Sequence, residues 1–132
     1  MTSKKQSHMA PQKSDVHAIA ADEAEQRGGV TPAEVMRDKG LLQLVLVRTF
    51  GEGVHVGLLA FREGMECELL DCRRVWRWRG ANTLNEVVLH GVSMTEFTRL
   101  SEPVPSVILT TVIGLYPVSE KARESLTVSR WL

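Results

Sequence analysis

The apolar positions of residues 15–40 follow a helical period. Residues 15–26 are rich in alanine and repeat their apolar side chains every three or four positions, which predicts a helix that Gly28 would end. A second short helix should span residues 32–39, because Thr31 and Glu34 form a capping box around a proline at the first helical position. Two helices are therefore predicted within residues 15–40.

From residue 41 onward the period changes to that of strands. Residues 41–50 are apolar at both odd and even positions, which indicates a central strand buried on both faces. Residues 54–61 alternate after the glycine-rich turn at 51–53, as expected for the second strand of a hairpin. The last long strand is predicted over residues 106–116, which are rich in Val, Ile and Thr.

The strand after that hairpin changes the parity of its apolar positions. They are first odd and then even: Met65, Cys67 and Leu69, followed by Leu70, Cys72, Trp76 and Trp78. Because side chains alternate strictly between the two faces of a strand, such a change requires an inserted residue. The pattern predicts a bulge or sharp bend at residues 69–71.

The remaining segments alternate between helix and loop. Residues 83–86 have the form of a capping box and should open one short helix. Residues 92–105 are predicted to be a loop or an edge strand, since their prolines cannot donate to a strand ladder. Ser119 should cap a C-terminal helix that turns Ala122 and Leu126 inward.

These elements predict a mainly β (α+β) fold, a small antiparallel sandwich or barrel-like sheet with short flanking helices. We expect residues 1–14 to be an extended polar arm, residues 15–40 a helical segment and residues 41–132 a compact β-rich domain. The arm has almost no apolar side chains, so burial cannot offset the entropy of ordering it alone. Its basic residues, expected to contact other chains unless they are only solvated, are Lys4, Lys5 and Lys13.

Length and composition narrow the functional classes. With 132 residues, 43% apolar and 24% charged, the chain suits one globular domain and is neither disordered nor fibrous. The formal net charge of +0 argues against binding nucleic acid through the whole surface, although a local patch is compatible with it. Every apolar run is far shorter than the ~20 residues of a membrane span, and the polar start does not resemble a secretory signal, so we expect no membrane contact and synthesis in the cytoplasm.

No pattern of cysteines or histidines indicates a metal or a catalytic centre. Cys67 and Cys72 are too close together to staple the fold and lack companion zinc ligands, so we expect free thiols. The histidines lack metal-ligand spacing: His8, His17, His55 and His90. We therefore expect a protein that is not an enzyme and that binds no cofactor. A catalytic centre would require a cluster around His55, His90 or Cys72 that only the fold could assemble.

The densest chemical pattern is the run of arginine and tryptophan at residues 73–79. Its candidate site residues, for an interface or for an anionic ligand, are Arg73, Arg74, Trp76, Arg77, Trp78 and Arg79. On a strand, the odd positions carry arginine around Val75 and the even positions carry both tryptophans. Three interpretations stay open: a buried tryptophan face behind a solvated arginine face, a subunit interface, or a site for a nucleotide or single-stranded nucleic acid.

The order of several motifs resembles a family of small proteins of unknown function encoded in bacteriophage and prophage genomes. The motifs are VRT at 47–49, GVHVG at 53–57, LLDCRRVWRW at 69–78, GANTL at 80–84, RLSEPVP at 99–105 and SRW at 129–131. Five positions match as structural positions only: Gly57, Arg73, Trp78, Gly80 and Trp131. The resemblance implies a viral context and transfers no catalytic residue.

The sequence thus favours a non-enzymatic, bacteriophage-type structural or assembly protein. It would act as a virion accessory or capsid-decorating protein, through contacts between its own copies or with other virion proteins, after synthesis in the host cytoplasm. The alternative is a small binding protein that sequesters a nucleotide signal or binds single-stranded nucleic acid through the strand at residues 73–79.

Overall fold

The computed structural model describes residues 13–95 and 97–128. These residues divide into two compact units, with the boundary between Leu41 and Leu42. Of the predicted arm, residues 1–12 with Lys4 and Lys5 lie outside the described residues, and residues 13 and 14 begin the first helix.

The first unit contains the two predicted helices, α1 (Lys13–Arg27) and α2 (Pro32–Asp38). The capping box is confirmed: the Thr31 hydroxyl accepts from the Glu34 backbone N at 3.1 Å, and the Thr31 backbone N donates to the Glu34 carboxylate at 2.7 Å. These two bonds satisfy backbone donors that the start of a helix would otherwise leave unpaired.

Ion pairs join the two helices at the surface. Arg27 donates to Asp38 at 3.1 Å, and Lys39 lies 2.9 Å from Glu23. The hydrogen bond from Arg27, with a second from Arg37, lowers the pKa of Asp38. Because these side chains are exposed, the pairs contribute little to stability and mainly set how the two helices face each other.

The second unit is an antiparallel sheet of six strands with two helices. The strands are β1 (Leu44–Thr49), β2 (Val54–Glu63), β3 (Glu66–Arg77), β4 (Arg99–Leu100), β5 (Val104–Leu109) and β6 (Val112–Pro117), and the helices are α3 (Leu84–His90) and α4 (Glu120–Leu126). The strand order is β4-β3-β2-β1-β6, with β5 also paired to β3, and the sheet is not closed into a barrel. The predicted mainly β (α+β) class with short helices is confirmed.

The predicted single strand at residues 106–116 is wrong. The structure has two strands there, β5 and β6, which join through Thr110-Thr111 and pair with opposite sides of the sheet. Leu109 pairs with Cys67 of β3, whereas Val112 pairs with Thr49 of β1. Strand propensity could not separate the two, because the link consists of threonines, which favour strands as strongly as their neighbours do.

The predicted bulge is confirmed. Val56 pairs with Arg73 and Leu58 pairs with Leu70, so β3 contains one residue more than β2 across this interval. Asp71 lies inside the bulge with φ at 50°, a left-handed conformation that aspartate tolerates better than most side chains. The long hairpin of β2 and β3 therefore bends at this point.

Two apolar cores lie on the two faces of β1. One, the helix core, contains Leu44, Leu46, Val56, Val75, Val87, Val88, Val92, Leu100, Ala122 and Leu126. The other, the sheet core, contains Val45, Val47, Cys67, Leu69, Cys72 and Leu109. The predictions that β1 is buried on both faces, and that α4 buries Ala122 and Leu126, are confirmed; Trp131 lies outside the described residues.

Candidate functional site

The arginine and tryptophan run at residues 73–79 begins in the last part of β3 and extends two residues beyond its end at Arg77. Val75 is 3% exposed and Trp76 is 53% exposed, so the predicted burial of the tryptophan face is wrong at Trp76. Trp76 shares a face of β3 with Cys72, which lies in the sheet core, whereas Val75 on the opposite face lies in the helix core. The sheet core does not include Trp76, so this side chain stays exposed. Trp78 follows the strand and packs, partly buried, against the helix core.

Two of the arginines stack on one aromatic ring that the sequence did not single out. The Cζ atoms of Arg77 and Arg79 lie 4.5 Å and 4.0 Å from the centre of the Phe97 ring. Arg77 Nε also donates to the Phe97 carbonyl at 2.8 Å, and its Cζ lies 5.2 Å from the Trp76 ring. These cation–π contacts tie the end of β3 to the loop before β4.

The other two arginines lie in different surroundings. The Nε of Arg73 is buried without a hydrogen-bond partner among the described residues, and burial lowers the pKa of its guanidinium against the attraction of Asp71. Arg74 has an exposed side chain, and its backbone N donates to Ser101 at 2.8 Å. The six predicted residues thus do not form one site: Arg77 and Arg79 stack on Phe97, and Trp76 contacts Arg77. Arg73, Arg74 and Trp78 lie in other surroundings.

One cysteine and one histidine form a buried pair. The Sγ of Cys72 lies 3.9 Å from Nδ1 of His55, whose Nε2 donates to the Glu52 carbonyl at 3.1 Å. Burial raises the pKa of the Cys72 thiol to about 12 and lowers the pKa of His55. A catalytic cysteine needs an accessible thiolate, so this pair is a core contact of a protonated thiol with a neutral imidazole. Both thiols are free, as predicted.

The described residues contain neither a cluster of metal ligands nor a membrane-spanning helix. Among residues 13–95 and 97–128, no group of three or more His, Cys, Asp or Glu side chains could hold a metal ion. No helix within the same ranges is long and apolar enough to cross a bilayer.

A cleft of about 500 Å³ opens where the ends of several elements meet. Its lining comes from β1, β2, the segment after β3, the start of α3 and β6: Arg48, Val54, Trp78, Asn82, Thr83, Leu84, Asn85 and Tyr116. Only Trp78 belongs to the residues that the sequence indicated. A charged residue within the otherwise apolar β1 was the available signal for Arg48, and no comparable signal marks Tyr116 or the asparagines.

Exposed apolar side chains surround the link between β5 and β6. Phe50 N donates to the Thr111 carbonyl, and Val112 N donates to the Met65 carbonyl, both at 2.9 Å, so Phe50 and Met65 flank the link. We call the following set the apolar link surface, with exposed fractions of 77%, 49%, 53%, 65% and 52%: Phe50, Phe61, Met65, Ile108 and Ile113.

The apolar link surface includes a row across three strands and borders an open strand edge. Phe61 and Ile108 both pair with Glu68, so the three side chains share one face of the sheet. Among the described strands, β6 pairs with β1 alone. Beside β6, a hollow of about 420 Å³ lies against Arg62 and Gly64 of the β2–β3 turn.

A comparison with protein families gives one match. The family described as Domain of unknown function (DUF6948) matches residues 42–126, which is most of the second unit. No curated protein and no solved structure matches the chain.

Proposed function

This chain belongs to the family described as Domain of unknown function (DUF6948), and we propose that it is a non-enzymatic assembly protein whose copies associate through the apolar link surface. The observation that carries the proposal is the 77% exposure of Phe50 beside four other apolar side chains that are about half exposed. A single exposed apolar side chain is ordinary, but a group around one link is typical of an interaction surface.

A second copy of the same chain fits this surface. The formal net charge of +0 creates no net electrostatic repulsion between two copies. A twofold axis would place the apolar side chains of one copy against the same side chains of its partner, which makes the surface complementary to itself.

Pairing between strands of two copies would also fix their relative orientation. The outer edge of β6 presents backbone groups that a strand of another copy could pair with, and the hollow beside Arg62 leaves space for it. The outer edge of β5 is less suitable, because Pro105 has no backbone N–H.

The absence of an activated nucleophile in the Cys72–His55 pair supports the non-enzymatic part of the proposal. The virion or capsid context follows from the resemblance of sequence motifs alone and stays a prediction. The same holds for the arm lysines Lys4, Lys5 and Lys13, which we expect to strengthen contacts between copies.

Light scattering coupled to size-exclusion chromatography, over a wide range of concentration, tests the proposal. The full chain should form a defined oligomer, and Ile108→Lys or Phe50→Ser should convert it to monomer without changing its circular dichroism. Leu89→Ser is the matched control, since Leu89 is an apolar side chain on α3 with 55% exposure outside the surface.

A variant without residues 1–12 separates the two kinds of contact. If the apolar link surface carries assembly, this variant still forms the oligomer, although more weakly. A full-length chain that stays monomeric at every concentration, or an Ile108→Lys variant that assembles like the original, would reject the proposal.

A further inference from the structure

The cleft beside Arg48 has the composition of a ligand site. Its volume of about 500 Å³ lies within the range of small-molecule pockets, roughly 300–1,000 Å³. Its walls combine two aromatic rings, one guanidinium and two primary amides, and no acidic side chain lines it. The cleft is therefore locally positive on a chain whose formal net charge is +0.

The polar groups of the cleft are unoccupied by the protein itself. Within residues 13–95 and 97–128, the side chains of Arg48, Asn82 and Asn85 make no hydrogen bond or ion pair. The hydroxyl of Tyr116 and the indole N–H of Trp78 likewise have no partner in those ranges. By contrast, Arg77 and Arg79 of the predicted site are engaged with Phe97. The cleft therefore keeps its donors and acceptors available to a ligand.

The aromatic walls are held in place by the fold. Trp78 and Tyr116 are both partly buried and pack against the helix core. The residue after Trp78 is fixed by two backbone bonds: Ser93 N donates to the Arg79 carbonyl at 2.6 Å, and Arg79 N donates to the Thr98 hydroxyl at 3.3 Å. Rings fixed in this way offer stacking surface at little loss of side-chain entropy on binding.

The asparagines are positioned by the cap of α3. The Thr83 hydroxyl accepts from Glu86 N at 3.3 Å, which fixes the turn between Asn82 and Asn85. A primary amide presents a donor and an acceptor side by side, the arrangement that pairs with the edge of a nucleobase. Guanidinium, ring and amide together match phosphate, base face and base edge.

We propose that this cleft binds a mononucleotide. Arg48 pairs with the phosphate, Trp78 or Tyr116 stacks on the base, and Asn82 and Asn85 bond its edge. This site is separate from the apolar link surface and does not depend on assembly. The sequence pattern indicates the run that contains Arg73, Arg77 and Arg79 as a candidate site for an anionic ligand. In this proposal the anion binds Arg48 instead.

Isothermal titration calorimetry of the full chain tests the site with four nucleoside monophosphates, inorganic phosphate, an unphosphorylated nucleoside and a short single-stranded oligonucleotide. At least one monophosphate should bind saturably, more tightly than phosphate or the nucleoside, with an affinity that falls as salt rises. Arg48→Gln should weaken binding by at least about tenfold, because it removes a charge-assisted hydrogen bond. Asn85→Ala, at an exposed position, should weaken it without unfolding the chain.

Arg123→Gln is the control, since Arg123 is an exposed arginine on α4 outside the cleft. It should bind like the original chain. The proposal is overturned if no monophosphate binds, if Arg48→Gln binds as tightly as the original, or if the oligonucleotide alone binds, which would indicate a single-stranded nucleic-acid site instead.

Discussion

The Cys72 thiol and the His55 imidazole are hydrogen-bond neighbours in the interior, with Sγ and Nδ1 3.9 Å apart. The Nε2–H of His55 is committed to the Glu52 carbonyl, which leaves Nδ1 as an acceptor for the thiol proton. The proton therefore stays on sulfur, and the pair links β2 to β3 inside the unit without creating a nucleophile.

Thiol labelling should show this protonated, buried state. Because burial raises the pKa of Cys72 to about 12 and also raises that of Cys67, the folded chain should react slowly with Ellman's reagent at pH 8. Both thiols should react at once in denaturant. Cys72→Ala, which leaves Cys67 alone, should show the same protection. Rapid labelling of a thiol in the folded chain would contradict the burial of this pair.

Stability should depend on pH through His55. Burial lowers the pKa of His55 below its ordinary value of 6.5, so the unfolded chain binds this proton at a higher pH than the folded chain. The free energy of unfolding should therefore decrease as the pH falls below about 6.5, and the loss should end below the folded-state pKa. About one pH unit above 6.5 and higher, where His55 is almost entirely neutral in both states, this group should contribute almost no slope.

Urea denaturation between pH 7.5 and pH 5 measures that slope, which for one proton is at most about 1.4 kcal/mol per pH unit. His55→Gln should flatten it whatever its effect on absolute stability. His90→Gln, at an exposed position, should retain the slope of the original chain. Equal slopes in all three proteins would show that His55 is not the titrating group.

The two cores should unfold together. Leu46 in the helix core and Leu69 in the sheet core are both completely buried, so Leu46→Ala and Leu69→Ala should each lower the free energy of unfolding by about 2–5 kcal/mol. Leu89→Ala, at an exposed site, should change it by no more than about 0.5 kcal/mol. Denaturation followed by fluorescence and by circular dichroism should give one coincident transition, and separate transitions would show that the cores are independent.

The bulge at Asp71 allows backbone strain and charge to be measured separately. The backbone of Asp71 has φ at 50°, a conformation that a β-branched residue rarely adopts. Asp71→Val should therefore lower the free energy of unfolding by about 1–3 kcal/mol. Asparagine adopts the same backbone conformation, so Asp71→Asn removes the charge beside Arg73 without adding backbone strain. Its free energy of unfolding should decrease by less than that of Asp71→Val. Thermal denaturation of both variants checks this order, and a valine variant as stable as the asparagine variant would contradict it.

Features encoded by neighbouring residues were predictable. The capping box at Thr31 and Glu34 needs only two side chains three positions apart. The bulge near Asp71 follows from a change of parity within one segment, and the burial of β1 on both faces follows from the apolar run at residues 44–47. In each case the physical cause lies within a few residues.

Features that depend on distant neighbours were not predictable. Which face of β3 is buried at Trp76 depends on the layer that covers it, and α3 and α4 supply that layer from later in the chain. The division of β5 from β6 depends on two different pairing partners. The cleft joins Arg48 to Tyr116, which are brought together by the pairing of β1 with β6 and lie far apart in sequence.

Since β5 and β6 follow each other with only Thr110-Thr111 between them, a single late stretch of chain shields both margins of the three-stranded β1-β2-β3 meander. Both pairings join residues that are far apart in the chain, which gives the unit a high contact order and slow folding for its size. The entropy of closing these long loops is lost before either pairing contributes stability. Until this stretch docks, the nascent sheet exposes two unprotected sides at once, and aggregation competes with folding during that interval.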